Sequence, residues 1–225
     1  MARTNPAERV LYNYFRSTAS YRVRIALNLK RLDYEYVAVH LNRDGGEQFK
    51  HAFQALNPQC LVPVLQQGDA TVSQSLAIIE YLDERFPHFP LLPGTAEDRA
   101  LVRQLALTVA CDIHPLNNLK VLKFLTGELG LSEPSKMVWI QHWIGLGLSA
   151  VESSLARTAQ RGRFCFQDAP TLADCCLVPQ LYNAQRFNVD LSAYPTLMAI
   201  DQACQSLSAF QLAHPSRQPD AEPGA

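Results

Sequence analysis

Three hydroxyl side chains are concentrated in the stretch FRSTASYRVRIAL, which runs from Phe15 to Leu27. Ser17, Thr18 and Ser20 lie between a short apolar segment and a helical pattern. Hydroxyls in such a place cap helices, because they accept hydrogen bonds from the first-turn amides. They can also help to hold an anion, since a helix N-terminus carries partial positive charge and free N–H groups. The residues alone leave both interpretations open.

A second group of candidate binding residues lies around a proline and a later helix start. Val62 and Pro63 begin a predicted strand, where a proline indicates an edge, a bend or a cis bond, or simply a strand entry. Gln74 and Ser75 end the following strand and open the next helix. Ser75 is a good N-cap, and the same helix start can bind a carboxylate.

The elements that must position these residues alternate through the first 87 residues. Strand patterns cover residues 10–15 and 34–41, and a hairpin turns at Gln67-Gly68-Asp69. Helical patterns cover residues 18–30, 47–56 and 75–86. The order βαβαββα predicts a small mixed sheet with helices on both faces, in a domain spanning residues 1–87.

The rest of the chain reads as helical. PHFPLLPG, residues 87–94, has the composition of a linker. Residues 97–128 and 132–160 are predicted to be two long helices, and further helices begin near Thr171 and Pro195. Thr171 and Asp174 have the spacing of a capping box. We therefore expect an all-helical domain over residues 95–216 and a flexible tail over residues 217–225.

Composition restricts the functional classes. The formal net charge is −1, which disfavours a nucleic-acid partner or an anionic membrane surface. No run of about 18 apolar residues or N-terminal targeting segment is visible. The six cysteines show no CxxC pair and no metal-ligand spacing, so no metal site is predicted. These features are typical of a reduced, cytoplasmic, globular protein.

Several motifs together resemble one family. FRSTASYRVRIALNLK, LNPQCLVPVL, QSLAIIEYL, APTLADCCLVPQ and the terminal HPSRQPD are similar to the zeta class of glutathione transferases, which contains maleylacetoacetate and maleylpyruvate isomerases. The resemblance runs from about Leu11 to Asp220. It implies the glutathione-transferase fold, with an α/β thioredoxin-like N-terminal domain and an all-α C-terminal domain. The family usually has cysteine where this chain has Ala19, which argues against redox chemistry by a protein thiol at that position.

The resemblance also implies a set of glutathione contacts. Pro63 would be the cis-proline, and Val62 would offer backbone hydrogen bonds to the cysteinyl part of the tripeptide. Gln74 and Ser75 would hold the γ-glutamyl end, and Gln48 would contact the glycyl end. His114 and Asn118 would reach toward the tripeptide from the second domain, although His114 can equally be an ordinary polar residue at a domain boundary.

Catalytic roles follow from the chemistry of a thiolate and a dicarboxylic ketoacid. Ser17 is the expected hydrogen-bond donor to the glutathione thiolate, with Thr18 as the alternative. A dianionic substrate needs cations, and Arg16 and Arg186 are the candidates, each of which can instead be structural or solvated. Arg22 and Arg24 are expected to serve packing or the surface.

The function implied is a glutathione-dependent cis–trans isomerase of a maleyl ketoacid. Maleylacetoacetate is the first candidate substrate and maleylpyruvate the second. The alternatives are a transferase that conjugates or dehalogenates small α-haloacids, and a non-enzymatic binding or assembly module. By resemblance we expect a homodimer in which one subunit's first domain meets the other's second.

Overall fold

The computed structural model describes residues 9–222, which form two compact units. The first unit comprises residues 9–91 together with residues 207–222, and the second comprises residues 92–206. Residues 1–8 of the predicted first domain and residues 223–225 of the predicted tail lie outside the described residues.

The first unit contains a four-stranded mixed sheet in the order β2-β1-β3-β4. Its strands are β1 (Arg9–Asn13), β2 (Glu35–Ala38), β3 (Val64–Gln67) and β4 (Ala70–Ser73). β1 pairs with β2 in parallel and with β3 in antiparallel orientation, and β3 pairs antiparallel with β4. The burial of β1 alternates, as expected for a strand with one face in the core.

Four helices complete the first unit: α1 (Thr18–Leu29), α2 (His51–Leu56), α3 (Ser75–Arg85) and α9 (Ser208–Ala213). α1 packs against both α3 and α9. One hydrophobic cluster joins the end of β1 to the start of β3, and its buried members are Tyr14, Phe15, Val39, Phe53, Val62 and Val64. The predicted order βαβαββα is confirmed for residues 9–85.

The second unit is built from α4 (Ala96–Leu107), α5 (Leu119–Gly127), α6 (Glu133–Arg157), α7 (Leu172–Arg186) and α8 (Pro195–Gln205). α7 is its central helix, because it packs against α4 and α8 and most of its residues are buried. The predicted capping box is present: the carboxylate of Asp174 accepts from the Thr171 N–H at 2.7 Å.

Two predicted helices are interrupted. The pattern over residues 97–128 gives α4, a π-helical segment Thr108–Ile113, a 3₁₀ turn His114–Asn117 and then α5. Pro115 explains the break, because proline has no N–H to continue the helical ladder. The pattern over residues 47–56 divides at Lys50, whose ψ of 141° is extended.

The C-terminal residues differ most from the prediction. The sequence placed residues 207–216 in the helical domain and residues 217–225 in a flexible tail. In the structure residues 207–222 belong to the first unit, where α9 packs on α1 and Ala221 packs against the hydrophobic cluster. Local sequence pattern carries no signal for this return of the chain.

Candidate functional site

Ser17 stands between β1 and α1 and is the N-cap of α1. Its φ of −68° and ψ of 118° are extended, and its Oγ accepts from the Ser20 N–H at 3.2 Å. Ser17 is half-buried, so the residue is partly open to solvent. The N-cap role and the anion-binding role are therefore compatible, because a capping hydroxyl still has its own proton to donate.

The other hydroxyls in the cluster are less accessible. Thr18 is 5% exposed and Ser20 is fully buried. Within residues 9–222 the Ser20 Oγ has no hydrogen-bond partner. Accessibility therefore favours Ser17 over Thr18 as the donor to a bound thiolate, although both assignments stay predictions.

The second helix start is reached by a buried arginine. Ser75 is the first residue of α3 and is 5% exposed, and its Oγ accepts from Arg22 Nη1 at 3.2 Å. Arg22 lies on α1 and is 2% exposed, so a buried guanidinium adds positive charge beside the α3 N-terminus. The sequence assigned Arg22 to packing or the surface. Its contact with Ser75 places it beneath a predicted carboxylate site.

Gln74 precedes α3 in the left-handed region, with φ of 71°. This conformation is uncommon for a residue with a side chain and is often found at functional sites. Its Nε2 donates to Gln59 Oε1 at 2.8 Å, which orients the exposed side chain. The Val62–Pro63 peptide bond is cis, as the resemblance implies.

Gln48 lies in the short 3₁₀ turn Glu47–Phe49 and is 4% exposed. Its Nε2 donates to the Leu41 carbonyl at 3.3 Å. Its Oε1 is buried and accepts no hydrogen bond from residues 9–222. An unsatisfied buried acceptor is costly, and the expected contact of Gln48 with the glycyl end of glutathione stays a prediction.

Three predicted site residues belong to the second unit. His114 begins a 3₁₀ turn and is half-buried. Asn118 is the N-cap of α5, where its Oδ1 accepts from the Lys120 N–H at 3.1 Å. Arg186 ends α7, is exposed, and has its guanidinium 5.3 Å from the ring centroid of Phe187. Their contribution to glutathione or substrate binding stays a prediction.

Arg16, the first candidate for a substrate carboxylate, has a partner within the chain. Its Nη2 lies 2.9 Å from Glu222 Oε2, and its guanidinium stacks on the ring of Phe15 at 4.9 Å. A substrate carboxylate at Arg16 would therefore compete with Glu222. The substrate role of Arg16 stays a prediction.

His40 also binds the Glu222 carboxylate, through Nε2 at 2.9 Å from Oε1. The amides of Asn42 and Arg43 both donate to His40 Nδ1, so Nε2 carries the proton and donates to Glu222. This hydrogen bond, together with the charge of Arg16, lowers the pKa of Glu222, which stays ionised at neutral pH.

Arg24 is the most heavily bonded side chain near Ser17. It is fully buried, and its guanidinium donates to four oxygen atoms: Asn13 Oδ1, the Tyr14 and Phe15 carbonyls and the Ala213 carbonyl. Burial lowers its pKa from the usual arginine value. Of the two expectations for Arg24, packing or the surface, the structure shows packing. Its bonds to the carbonyls before Ser17 were not predicted, because an arginine on a helix is ordinarily solvated.

Residues 9–222 contain neither a metal-ligand cluster nor a helix suited to a membrane. Among residues 9–222 no group of three or more histidine, cysteine, aspartate or glutamate side chains could hold a metal ion. In the same residues no helix has the length and apolar character needed to cross a bilayer.

Comparison with known proteins identifies the class and then the family. A family profile described as "Glutathione S-transferase, N-terminal domain" matches residues 11–93. The probable maleylacetoacetate isomerase of Vibrio cholerae is 51% identical over 94% of this chain and 98% of its own length. The chain is thus a glutathione transferase by fold and sequence.

Two solved structures refine this assignment. The holo structure of a bacterial maleyl pyruvate isomerase, a zeta-class glutathione S-transferase, superposes with a TM-score of 0.92 at 51% identity, covering 95% of this chain and 100% of that one. Maleylacetoacetate isomerase from Methylobacterium extorquens AM1, solved with bound malonate and GSH, gives a TM-score of 0.90 at 42% identity, covering 95% and 99%. The chain belongs to the zeta-class glutathione transferase family of maleylacetoacetate and maleylpyruvate isomerases.

Proposed function

We propose that this chain catalyses the glutathione-dependent cis–trans isomerisation of a maleyl ketoacid, with maleylacetoacetate as the first candidate substrate and maleylpyruvate as the second. The observation that carries the proposal is the N-cap hydroxyl of the half-buried Ser17 at the start of α1, the helix whose Arg22 donates to Ser75 at the start of α3. The family assignment supplies the reaction class.

The residues of the first unit fit the chemistry of glutathione. The tripeptide carries two carboxylates, an amine, two amides and a thiol. Ser75 and the first-turn amides of α3, with Arg22 beneath them, suit a carboxylate. Gln48, in the turn Glu47–Phe49, would contact the glycyl end of the tripeptide. Val62, Pro63 and Gln74 would complete the contacts, and His114 and Asn118 would add to them from the second unit.

Bound glutathione would supply a thiolate that adds reversibly to the double bond and leaves unchanged after rotation about the resulting single bond. The role of the chain is to favour that thiolate. A free thiol of this kind has a pKa of about 8.5, so only a small fraction is ionised at neutral pH. Donation by the Ser17 hydroxyl, with the partial charge of the α1 N-terminus, stabilises the anion and lowers this pKa.

The substrate side requires positive charge, because a maleyl ketoacid is a dianion and negative charge moves onto its carbonyl oxygen during the reaction. Arg186 is exposed at the end of α7, where its Nη1 donates to Asn183 Oδ1 at 3.4 Å, and a guanidinium has further N–H groups that can bind a carboxylate. Arg16 can serve only where the substrate displaces Glu222 or shares the guanidinium with it.

We further propose that the chain acts as a cytoplasmic homodimer. The family resemblance supports this proposal, because transferases of this architecture are typically homodimers. Light scattering should give about twice the chain mass of 25.1 kDa. A mass equal to one chain at micromolar concentration would contradict the dimer.

The test of the function is an absorbance assay of both maleyl ketoacids with glutathione, with S-methylglutathione and with neither. We expect conversion to the fumaryl product only with glutathione, whose concentration should stay constant. Consumption of glutathione into an S-conjugate, with α-haloacids as better substrates, would identify a conjugating or dehalogenating transferase instead. Failure to bind glutathione at millimolar concentration would indicate a binding or assembly module.

A further inference from the structure

The loop that presents Ser17 is held by partners distant in sequence. It comprises residues 13–17, between the last residue of β1 and the N-cap of α1. Its one internal backbone bond runs from the Ser17 N–H to the Tyr14 carbonyl at 3.0 Å. Arg24 binds the Tyr14 and Phe15 carbonyls at 3.3 and 2.9 Å. The carbonyl side of the loop is thereby fixed by α1.

The amide side of the same loop is bound by the C-terminal end of the chain. Asp220 Oδ2 accepts from the Phe15 N–H at 3.1 Å, although 205 positions separate the two residues. Asp220 Oδ1 accepts from the Tyr36 hydroxyl on β2. One carboxylate therefore ties the backbone two residues before Ser17 to the neighbouring strand.

A second carboxylate makes a parallel connection one residue closer to Ser17. Glu222 Oε2 binds the Arg16 guanidinium at 2.9 Å, and Glu222 Oε1 accepts from His40 at 2.9 Å. Tyr36 lies on β2 and His40 follows β2 by two residues. Both acidic residues therefore connect the loop to the same part of the sheet, the strand β2 and its end. Between them, Ala221 packs against the hydrophobic cluster that contains Phe15.

The segment that carries these carboxylates is itself anchored. Gln218 is 8% exposed, and its Nε2 donates to the Leu212 and His214 carbonyls at 2.9 and 2.8 Å. Its own carbonyl accepts from the Ala221 N–H at 3.0 Å. Arg24 binds the Ala213 carbonyl at 3.1 Å, so the same guanidinium reaches the Ser17 loop and the end of α9.

We propose that residues 215–222 form a C-terminal clasp that positions Ser17 for the glutathione thiolate, with Asp220 as the main positioning residue and Glu222 as the second; this inference rests on the proposed function. A hydrogen bond to a thiolate depends steeply on distance and angle, so a small displacement of the Ser17 loop weakens it. The clasp acts through the backbone of Phe15 and the side chain of Arg16, and neither carboxylate needs to touch the ligand.

The test compares Asp220→Ala with Asp220→Asn and with a matched control, Asp190→Ala. Asp190 is exposed in the second unit and, like Asp220, accepts from a backbone N–H, that of Ser192 at 2.9 Å. The asparagine variant keeps one oxygen that can accept from Phe15 and should therefore restore part of the effect. Each variant is examined by amide hydrogen exchange without ligand and by the pH dependence of thiolate absorbance with glutathione.

We expect Asp220→Ala to accelerate exchange at least about tenfold in the peptide covering residues 14–20, since opening free energy and exchange rate are linked. The pKa of the bound thiol should rise by about 1, and kcat should fall about tenfold. Affinity for S-methylglutathione should change less than about twofold, because the Ser75 site is intact. Asp220→Asn should be intermediate, and Asp190→Ala should match the parent chain.

Two results would overturn the clasp. One is unchanged exchange over residues 14–20 in Asp220→Ala. The other is a general rise in exchange with equal losses of S-methylglutathione affinity and kcat, which a purely structural role would produce. If the parent chain does not bind glutathione, the proposed function fails, while exchange without ligand still decides whether Asp220 holds the loop. If Asp220→Ala does not fold, Asp220→Asn and Tyr36→Phe provide the same comparison.

Discussion

At the scale of single residues, the Ser17 hydroxyl has two uses that one geometry satisfies. As the N-cap it accepts from the Ser20 N–H, and as a donor it has one proton left for a ligand. Ala19 lies between Ser17 and Ser20 in the sequence and has no thiol, so no protein thiolate can compete with the glutathione thiolate at this position. The hydroxyl acts on the anion by donating a hydrogen bond.

We predict that Ser17→Ala raises the pKa of the bound thiol by about 1 to 2 and lowers kcat about 10- to 100-fold, because a hydrogen bond to a charged group contributes about 1.5–3 kcal/mol. Loss of the cap also lowers the free energy of unfolding by about 1 kcal/mol. Thiolate absorbance against pH, measured with steady-state rates, checks both effects.

The matched control for this change is Ser20→Ala on the same helix. The Ser20 hydroxyl is buried and makes no hydrogen bond within residues 9–222, so its removal should leave kcat within about twofold. A larger loss of activity in Ser20→Ala than in Ser17→Ala would contradict the assignment of the donor role to Ser17.

The hydrogen bonds of Arg24 lead to a second prediction at the scale of single residues, which concerns stability. We expect Arg24→Lys to lower the free energy of unfolding by about 2–4 kcal/mol, because one ammonium cannot reach all four oxygen atoms and each buried acceptor left unsatisfied costs about 1–3 kcal/mol. Arg31→Lys is the control, since Arg31 is exposed and stacks on Phe89 at 5.1 Å. Equal urea midpoints for the two variants would contradict the prediction.

At the scale of helices and strands, local pattern predicted most of what the structure contains. Alternation and period 3.6 are local properties, so the order βαβαββα and the starts of α1, α3 and α6 follow from neighbouring residues. The breaks at Lys50 and Pro115 were missed because the apolar pattern continues through them. Packing was one of two expectations for Arg22 and Arg24, but their partners were not predicted because these lie in other elements.

The two capping boxes of the second unit give a prediction about helix starts. Asp174 is fully buried and accepts from the Cys165 and Thr171 amides at 2.8 and 2.7 Å. Asp98 makes the same kind of bond to the exposed Thr95 amide at 3.0 Å. We expect Asp174→Asn to lower the free energy of unfolding by about 2–4 kcal/mol, because the amide NH₂ of asparagine then faces buried N–H groups. Asp98→Asn should lower it by about 0.5–1 kcal/mol.

Chemical denaturation of both variants measures this difference directly. The substitution and its position in the helix are the same, so the two sites differ in burial and in the extra hydrogen bonds that Asp174 accepts. Equal losses of unfolding free energy would mean that the buried carboxylate adds nothing beyond an ordinary cap. In that case the cost of burying the Asp174 charge offsets its extra hydrogen bonds.

At the scale of the whole chain, the decisive feature is the return of residues 207–222 to the first unit. The family resemblance extended to HPSRQPD, yet composition alone classed residues 217–225 as a tail. Hydrogen bonds between residues some 205 positions apart leave no periodic signal in one sequence. The Ser17 candidate was therefore predictable from local residues, whereas the carboxylates that hold its loop were not.

This return predicts that the first unit needs its C-terminal part. A chain that ends at Ser206 loses Phe210 and Ala213, which are 0% and 1% exposed, and the Asn28–Ala209 hydrogen bond of 2.9 Å. Removing one buried phenylalanine side chain costs about 3–5 kcal/mol, against a total stability of about 5–15 kcal/mol. We expect the shortened chain to be largely unfolded or to melt far below the parent.

A chain that ends at Glu222 keeps these contacts and should unfold at the parent midpoint. If the chain ending at Ser206 shows the parent's unfolding free energy, α9 contributes nothing to the first unit, and the Arg24 contact with the Ala213 carbonyl is dispensable.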